Sequence, residues 1–398
     1  MEKGIGKDTE LVIDGIRGIA ALLVAFTHSF DLAVADAYGW NYANNPEAWR
    51  WARASLGHGG FLVWCFFVIS GFCIQHSISR SIARGDFSLR RYAVGRLTRI
   101  YPLFMLGLGL AFIAWLCHDD YGDWHNDAPW RELGASLLSL QILTTPFPAY
   151  ETSWSLSCEM IYYALWPLAL LVTRGRVNWA AAVAIFSVLL VGSLIMFSWK
   201  VMHRLEYSAM VQGVWIVSVL LPVWVCGAWL AGNWGHSKLN VSRRVWISSI
   251  FLCFLAEILL IVLKFKQYPI WAVHLAGLSS VPGLLLFLAG AHHTRLSERK
   301  WAPGVCRWLG QFSYPCYILH MQILLLINHL RNSYAAEIGR RHPVWQSLIE
   351  FGLVMAILVW LGPRLDRATM AWRTRVLNKM SASQAPVNLQ SVPIGRDA

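Results

Sequence analysis

The chain has 398 residues, 56% of them hydrophobic and 14% charged, where a soluble domain carries about 25% charge. That polar surface is too small to cover a water-soluble fold, which excludes a soluble enzyme. The net charge of +12 sits in alternate connections between apolar runs, so it reports membrane topology and excludes a nucleic-acid partner.

Apolar runs of roughly 17–25 residues are long enough to cross a bilayer as helices. The sequence has ten, at 11–33, 60–79, 100–117, 154–172, 178–198, 211–232, 245–263, 269–290, 311–330 and 346–362. The expected fold is therefore an all-α polytopic membrane protein with about ten transmembrane helices. With the N-terminus in the cytoplasm, 23 of the 34 Lys and Arg fall on the cytoplasmic side, including Lys3, Lys7 and the cluster from Arg80 to Arg99. Cytoplasmic loops are enriched in these residues, so both termini are expected inside. The apolar piece 133–145 is too short to span and reads as interfacial or re-entrant. Residues 1–379 form one membrane domain, and 380–398 read as a polar, disordered cytoplasmic tail. Ala33 and Ala35 follow the first apolar run in an A-x-A pattern. That run is long for a signal peptide and opens with Asp14 and Arg17, so cleavage is not expected. The eight cysteines are scattered without a C-x-x-C pair, which predicts neither a disulfide framework nor a metal site.

The first span contains "DGIRGIAALLVAFTH", residues 14–28. Arg17 and His28 are eleven residues apart, close to three helical turns, so they share one face about 16 Å apart. Snorkelling would explain Arg17 alone, and packing would explain His28 alone. Both together on one apolar helix point to a polar seam through the bundle, because ionisable groups in a membrane are costly and usually functional. The outer loop at 34–59 is aromatic, which suits a carbohydrate surface as well as an interface anchor. The third span opens with "RRYAVGRLTRIYP", residues 90–102. Its Arg90, Arg91, Arg96 and Arg99 fit a positive-inside anchor touching anionic lipid and also a phosphate clamp.

The fourth span opens with "SWSLSCEMIYYALWP", residues 153–167. Glu159 stands there beside Ser155, Ser157, Tyr162 and Tyr163. An intramembrane carboxylate needs a partner or a proton, and His28, also toward the outer side, is the expected contact. In "YPCYILHM", residues 314–321, His320 lies about 14 Å along the ninth span, where a substrate-tunnel role and a packing role both fit. His292 and His293, at an inner helix end, read as surface residues.

Five stretches, "DGIRGIAALLVAFTH", "GFLVWCFFVISGFCI", "RLTRIYP", "SWSLSCEMIYY" and "LGQFSYPCYILHM", occur in this order from residue 14 to residue 321. Together they resemble the acyltransferase family three of integral membrane proteins. The family's arginine, ten intervening residues and histidine fall on Arg17 and His28. Its arginine-rich "RIYP" entry falls on Arg96 and Arg99, and its "WSL..E" glutamate on Glu159. The resemblance implies transfer of an acyl group, commonly acetyl, from cytoplasmic acyl-coenzyme A to a hydroxyl. The acceptor would be an envelope or exported carbohydrate or a small molecule, at the bacterial cytoplasmic (inner) membrane. It implies no tightly bound cofactor, and a membrane unit without an esterase-like domain after the spans is expected. On this reading Arg17, Arg90, Arg91, Arg96 and Arg99 bind acyl-coenzyme A. His28 is the general base, oriented by Glu159, or alternatively carries the acyl group itself. Asp14, Tyr162 and His320 line a substrate tunnel. The competing class is a proton-coupled transporter with His28 and Glu159 as its proton relay.

Overall fold

The computed structural model describes residues 5–56, 59–117, 129–201, 209–234, 241–268, 273 and 276–382, which form helices and connections without a strand. The helices are α1 (Lys7–Tyr38), α2 (Glu47–Leu56), α3 (Gly59–Ala83), α4 (Leu89–Cys117), α5 (Trp130–Leu137) and α6 (Trp154–Val172). They continue as α7 (Val177–Val201), α8 (Ala209–Gly232), α9 (Arg243–Phe265), α10 (Val281–Ala289), α11 (Ala302–Arg341) and α12 (Pro343–Ala382). Among the described residues, 7 helical stretches are long and apolar enough to cross a membrane. Of the ten runs in the sequence, 178–198 lies in α7, 311–330 in α11, and the run 269–290 is described mainly as the shorter apolar helix Ala276–Ala289, with residues 269–272, 274 and 275 outside the described residues. Gln311, Ser313, His320, Gln322 and Asn328 dilute the hydropathy of α11, and all but Gln311 are buried against neighbouring helices.

Several helices run well beyond the apolar runs that mark them. The third span does not begin at residue 100 but is part of α4, so Arg90, Arg91, Arg96 and Arg99 are helical. The last, 346–362, is the middle of α12, which carries Asp366 and Arg373 back along the bundle. Residues 380–382 of the expected tail still belong to α12, and 383–398 lie outside the described residues. The 133–145 piece folds as α5 and a short 3-10 turn, Gln141–Leu143, packed against α8.

Two large apolar clusters hold the bundle, with a small third of Ala20, Val24 and Leu62 between α1 and α3. One gathers Phe67, Phe72, Tyr162, Trp166 and Trp224 from α3, α6 and α8. The other gathers Phe104, Phe147, Tyr150, Phe312 and Leu319 around α4 and α11. Without a hydrophobic drive between helices in lipid, close backbone approach at small residues supplies the packing. Gly71 of α3 faces the Trp224 carbonyl of α8, while Gly227 of α8 faces the Val68 carbonyl of α3, and a Cβ at either would run into that oxygen. Gly18 plays the same part between α1 and Leu309 of α11. The outward faces of α9 and α12 show Phe251, Phe254, Leu255, Trp345 and Trp360, as a lipid-facing surface requires.

Candidate active site

A cavity of about 180 Å³ opens on the seam between the two clusters, with Phe67 and Ile74 on one wall and Ile100 and Leu156 on the other. Arg17 of α1, Arg96 and Arg99 of α4 and Glu159 of α6 also line it. The spacing of "RLTR" puts Arg96 and Arg99 one turn apart on α4, so both guanidinium groups reach the same space. Their compensation differs. Arg99 donates to Asp366 of α12 at 2.5 Å, and its guanidinium stands over the Tyr314 ring. Arg96 donates to the Ser77 hydroxyl at 2.9 Å and stands over Tyr92, with no carboxylate within ion-pair reach among the described residues. Arg17 likewise has no close ion pair among the described residues. The Asp14 and Glu159 carboxylates act on it only through their fields.

Glu159 does not meet His28. Its carboxylate accepts the Tyr163 hydroxyl at 2.7 Å, which in turn lies 3.0 Å from the Ser70 hydroxyl. Tyr163 follows Glu159 by one helical turn, so the carboxylate is satisfied from its own helix and from α3, on the cavity side. His28 pairs instead with His320 of α11, their ring centroids 5.3 Å apart and the planes inclined by 30°. The nearest carboxylate field on His28 comes from Asp31, one turn farther along α1. The Nδ1 of His320 lies 2.8 Å from the Cys316 carbonyl. A carbonyl only accepts, so the hydrogen of the neutral ring is on Nδ1 and Nε2 keeps a lone pair. That Nε2 is buried without a hydrogen-bond partner among the described residues, and such orphans call for a functional explanation. His320 is 1% exposed, whereas His28 retains accessible surface.

Tyr317 joins the two regions. It lines the cavity, its ring lies 6.2 Å from that of His320, and its hydroxyl is 2.5 Å from that of Ser155. Beyond the histidines, α2 folds over α1. Thr27 donates to the Leu56 carbonyl at 2.7 Å, and Arg53 pairs with Asp31 at 3.1 Å. The order along the bundle is thus arginines, cavity, Tyr317, the histidine pair and the α2 cap.

Three other expected residues stand elsewhere. Tyr162 donates to the Val217 carbonyl at 2.6 Å inside the α3–α6–α8 core and lines no part of the cavity. Asp14 is pressed against Gly310 of α11, outside the cavity wall. Arg90 points outward, and Arg91 lies in a neighbouring recess. At the rim of that recess, burial works against the Asp86 carboxylate. The Ser81 hydroxyl and the guanidinium groups of Arg84 and Arg91 outweigh it and hold the Asp86 pKa below the ordinary range. Ser70, Tyr314, Tyr317 and Asp366 complete the site without having been singled out. The tyrosines carried a signal, because positions 314, 317 and 320 recur every three residues and share one face.

The sequence model of the family described as "Acyltransferase domain" matches residues 11–362. A Bacillus subtilis protein named "Putative peptidoglycan O-acetyltransferase YrhL" is 26% identical over 377 residues, covering 88% of this chain and 53% of its own length. An uncharacterized Haemophilus influenzae protein is 29% identical over 155 residues, 35% of this chain and 63% of that one. "Protein 2 in picA locus" of Rhizobium radiobacter is 26% identical over 174 residues, 39% of this chain and 81% of that one. The chain thus spans about half to four-fifths of the length of these relatives. No solved structure matches it.

Proposed function

The chain belongs to this acyltransferase family, and from that premise we propose that it moves an acyl group, in the first place acetyl, from cytoplasmic acyl-coenzyme A to a hydroxyl of an envelope or exported carbohydrate. Membership of an acyltransferase family removes the proton-coupled transporter from consideration. The observation that carries the proposal is the order of the site. Cationic side chains with little close compensation line a cavity on one side of Tyr317, and a histidine pair with a free buried lone pair lies on the other.

Phosphate groups suit the arginine end, since guanidinium binds their oxygens through paired N–H groups. Arg96 and Arg99 hold the donor, and Arg17 draws its pantetheine arm into the bundle. The arm passes Tyr317 and presents the thioester to His28. His28 removes the proton from the acceptor hydroxyl as that oxygen attacks the thioester carbonyl. The C–S bond breaks, the thiolate leaving group takes up the proton, and the acceptor departs as an ester. His320 is a positioning residue whose ring, its centroid 5.3 Å from that of His28, packs against the His28 ring and limits its rotation. Glu159 tempers the positive field around Arg17. The arginine-rich end faces the cytoplasm, with both termini there and ten crossings of a bacterial cytoplasmic membrane.

Purified protein in lipid nanodiscs with radiolabelled acetyl-coenzyme A and a mixed oligosaccharide pool tests this. The expected products are free coenzyme A and an alkali-labile O-acetyl ester in equal amounts. Absence of thioester loss with acetyl and longer acyl donors, in the presence of acceptor, would refute the proposal.

A further inference from the structure

A second recess, of about 160 Å³, lies beside the cavity and shares Arg96 with it. Arg84 at the end of α3, Arg91 and Arg96 on α4, and Arg373 far along α12 bring four guanidinium groups to one small space. Ser77 and Ser88 add hydroxyl groups, while the Ser81 hydroxyl is taken up donating to the Asp86 carboxylate at 2.7 Å. The single carboxylate beside them among the described residues, Asp86, lies 3.3 Å from Arg84 and 3.9 Å from Arg91. Arg373 donates its Nε to the Gly95 carbonyl at 2.9 Å, and its two terminal nitrogens have no partner among the described residues. A Cβ at Gly95 would stand 3.5 Å from one of those nitrogens, so α12 presses Arg373 closely against α4.

Arg373 sits in the repulsive fields of Arg96 and Arg99. Gathering like charges from three helices opposes folding unless an anion is held among them. A phosphate monoester, with a charge of about −1.5 to −2 and three acceptor oxygens, answers such a set of donors. Arg96 lines both this recess and the larger cavity, so the two spaces meet at its guanidinium.

We infer that this recess is a phosphate site that reads the terminal 3′-phosphate of the donor's nucleotide, with Arg84, Arg91 and Arg373 as its ligands. The inference rests on the reading of acyl-coenzyme A as donor and extends it. It makes the enzyme selective for donors carrying the additional phosphate monoester. A phospholipid headgroup offers the same chemistry, and the test separates the two sources.

Binding and turnover are measured with acetyl-coenzyme A and its 3′-dephospho analogue, in nanodiscs of neutral lipid and of neutral lipid doped with anionic lipid. Wild type is expected to prefer acetyl-coenzyme A by about tenfold or more, in line with several charge-assisted hydrogen bonds. Arg373→Gln is expected to shrink that preference to about twofold or less, mainly through KM. Arg84→Gln, at an exposed helix end where folding is not at stake, is expected to shrink it in the same direction. Equal binding of both donors by wild type would overturn the recess assignment and leave the donor reading intact. A preference unmoved by either variant, with only the dependence on anionic lipid altered, would assign the recess to headgroups and overturn the inference. Failure of wild type to bind either donor would overturn the donor reading and this inference together.

Discussion

Replacing His320 separates the chemical step from donor binding. His320→Ala removes a buried ring whose Nδ1–H donates to the Cys316 carbonyl and whose Nε2 stands in the histidine pair. Losing one internal hydrogen bond costs about 1 kcal/mol, and emptying a buried large side chain costs on the order of 2–4 kcal/mol. A folded but less stable protein is therefore expected. General-base assistance contributes about 10²–10⁴ in rate. With His28 still present but free to rotate, kcat should fall by about 10²-fold. The donor KM should stay within about threefold, because the arginines stand near the Arg17 end, three helical turns of α1 from His28. Gln refills most of the space beside the His28 ring with a polar side chain, so His320→Gln should recover about tenfold over alanine. Initial rates across donor concentrations, on nanodisc samples matched by size-exclusion profile, give both constants. An unchanged kcat with a raised KM would refute the pairing of His320 with the chemical step. Glutamine no better than alanine would refute its positioning role.

Asp366→Asn removes the carboxylate that answers Arg99 at 2.5 Å, where Asp366 is 7% and Arg99 23% exposed. Stability should drop by about 2–3 kcal/mol, while donor affinity rises severalfold because Arg99 is released to the phosphates; denaturation and donor titration on one sample check both signs. Arg331→Ala leaves the buried Glu350 and the half-buried Asp36 without the guanidinium that both contact. It should cost about 3 kcal/mol or more and lower the melting midpoint, with no selective effect on donor KM. Gly71→Ala forces a Cβ onto the Trp224 carbonyl and should destabilise by about 3 kcal/mol or more. Gly352→Ala, inside α12 where nothing lies within 4 Å, should raise the melting midpoint slightly, by up to about 1 kcal/mol of stability.

Periodicity and charge reach only part of this architecture. Arg17 and His28 could be aligned from their spacing because one helix carries both, and the pairing of Arg96 with Arg99 follows from the same arithmetic. The partner of His28 could not, since it lies on α11, 292 residues away, and depth in a bilayer does not specify which helices touch. Depth made Glu159 the expected contact, but Tyr163, one turn along and itself hydrogen-bonded to Ser70 on α3, claims its carboxylate. Tyr162 and Tyr163 are adjacent, yet a helix turns them by about 100°, which sends one into the core and the other to the cavity wall. Asp366 and Arg373 follow the last apolar run, where hydropathy falls and nothing in the local sequence tells a helix returning to the site from a tail. Seven of the ten runs appear as helices long and apolar enough to span. Buried polar side chains explain the weak signal of α11, because they face neighbouring helices instead of lipid.

The claim that the arginine end binds and the histidine pair transfers is tested most directly by His28→Ala in one sample followed for both steps. Wild type and His28→Ala should bind radiolabelled acetyl-coenzyme A with affinities within about twofold, while the variant loses at least about 10²-fold of the acceptor-dependent thioester cleavage. Arg96→Ala should show the opposite pattern, with weakened binding. A His28→Ala protein that binds the donor and still transfers at the wild-type rate would contradict the account.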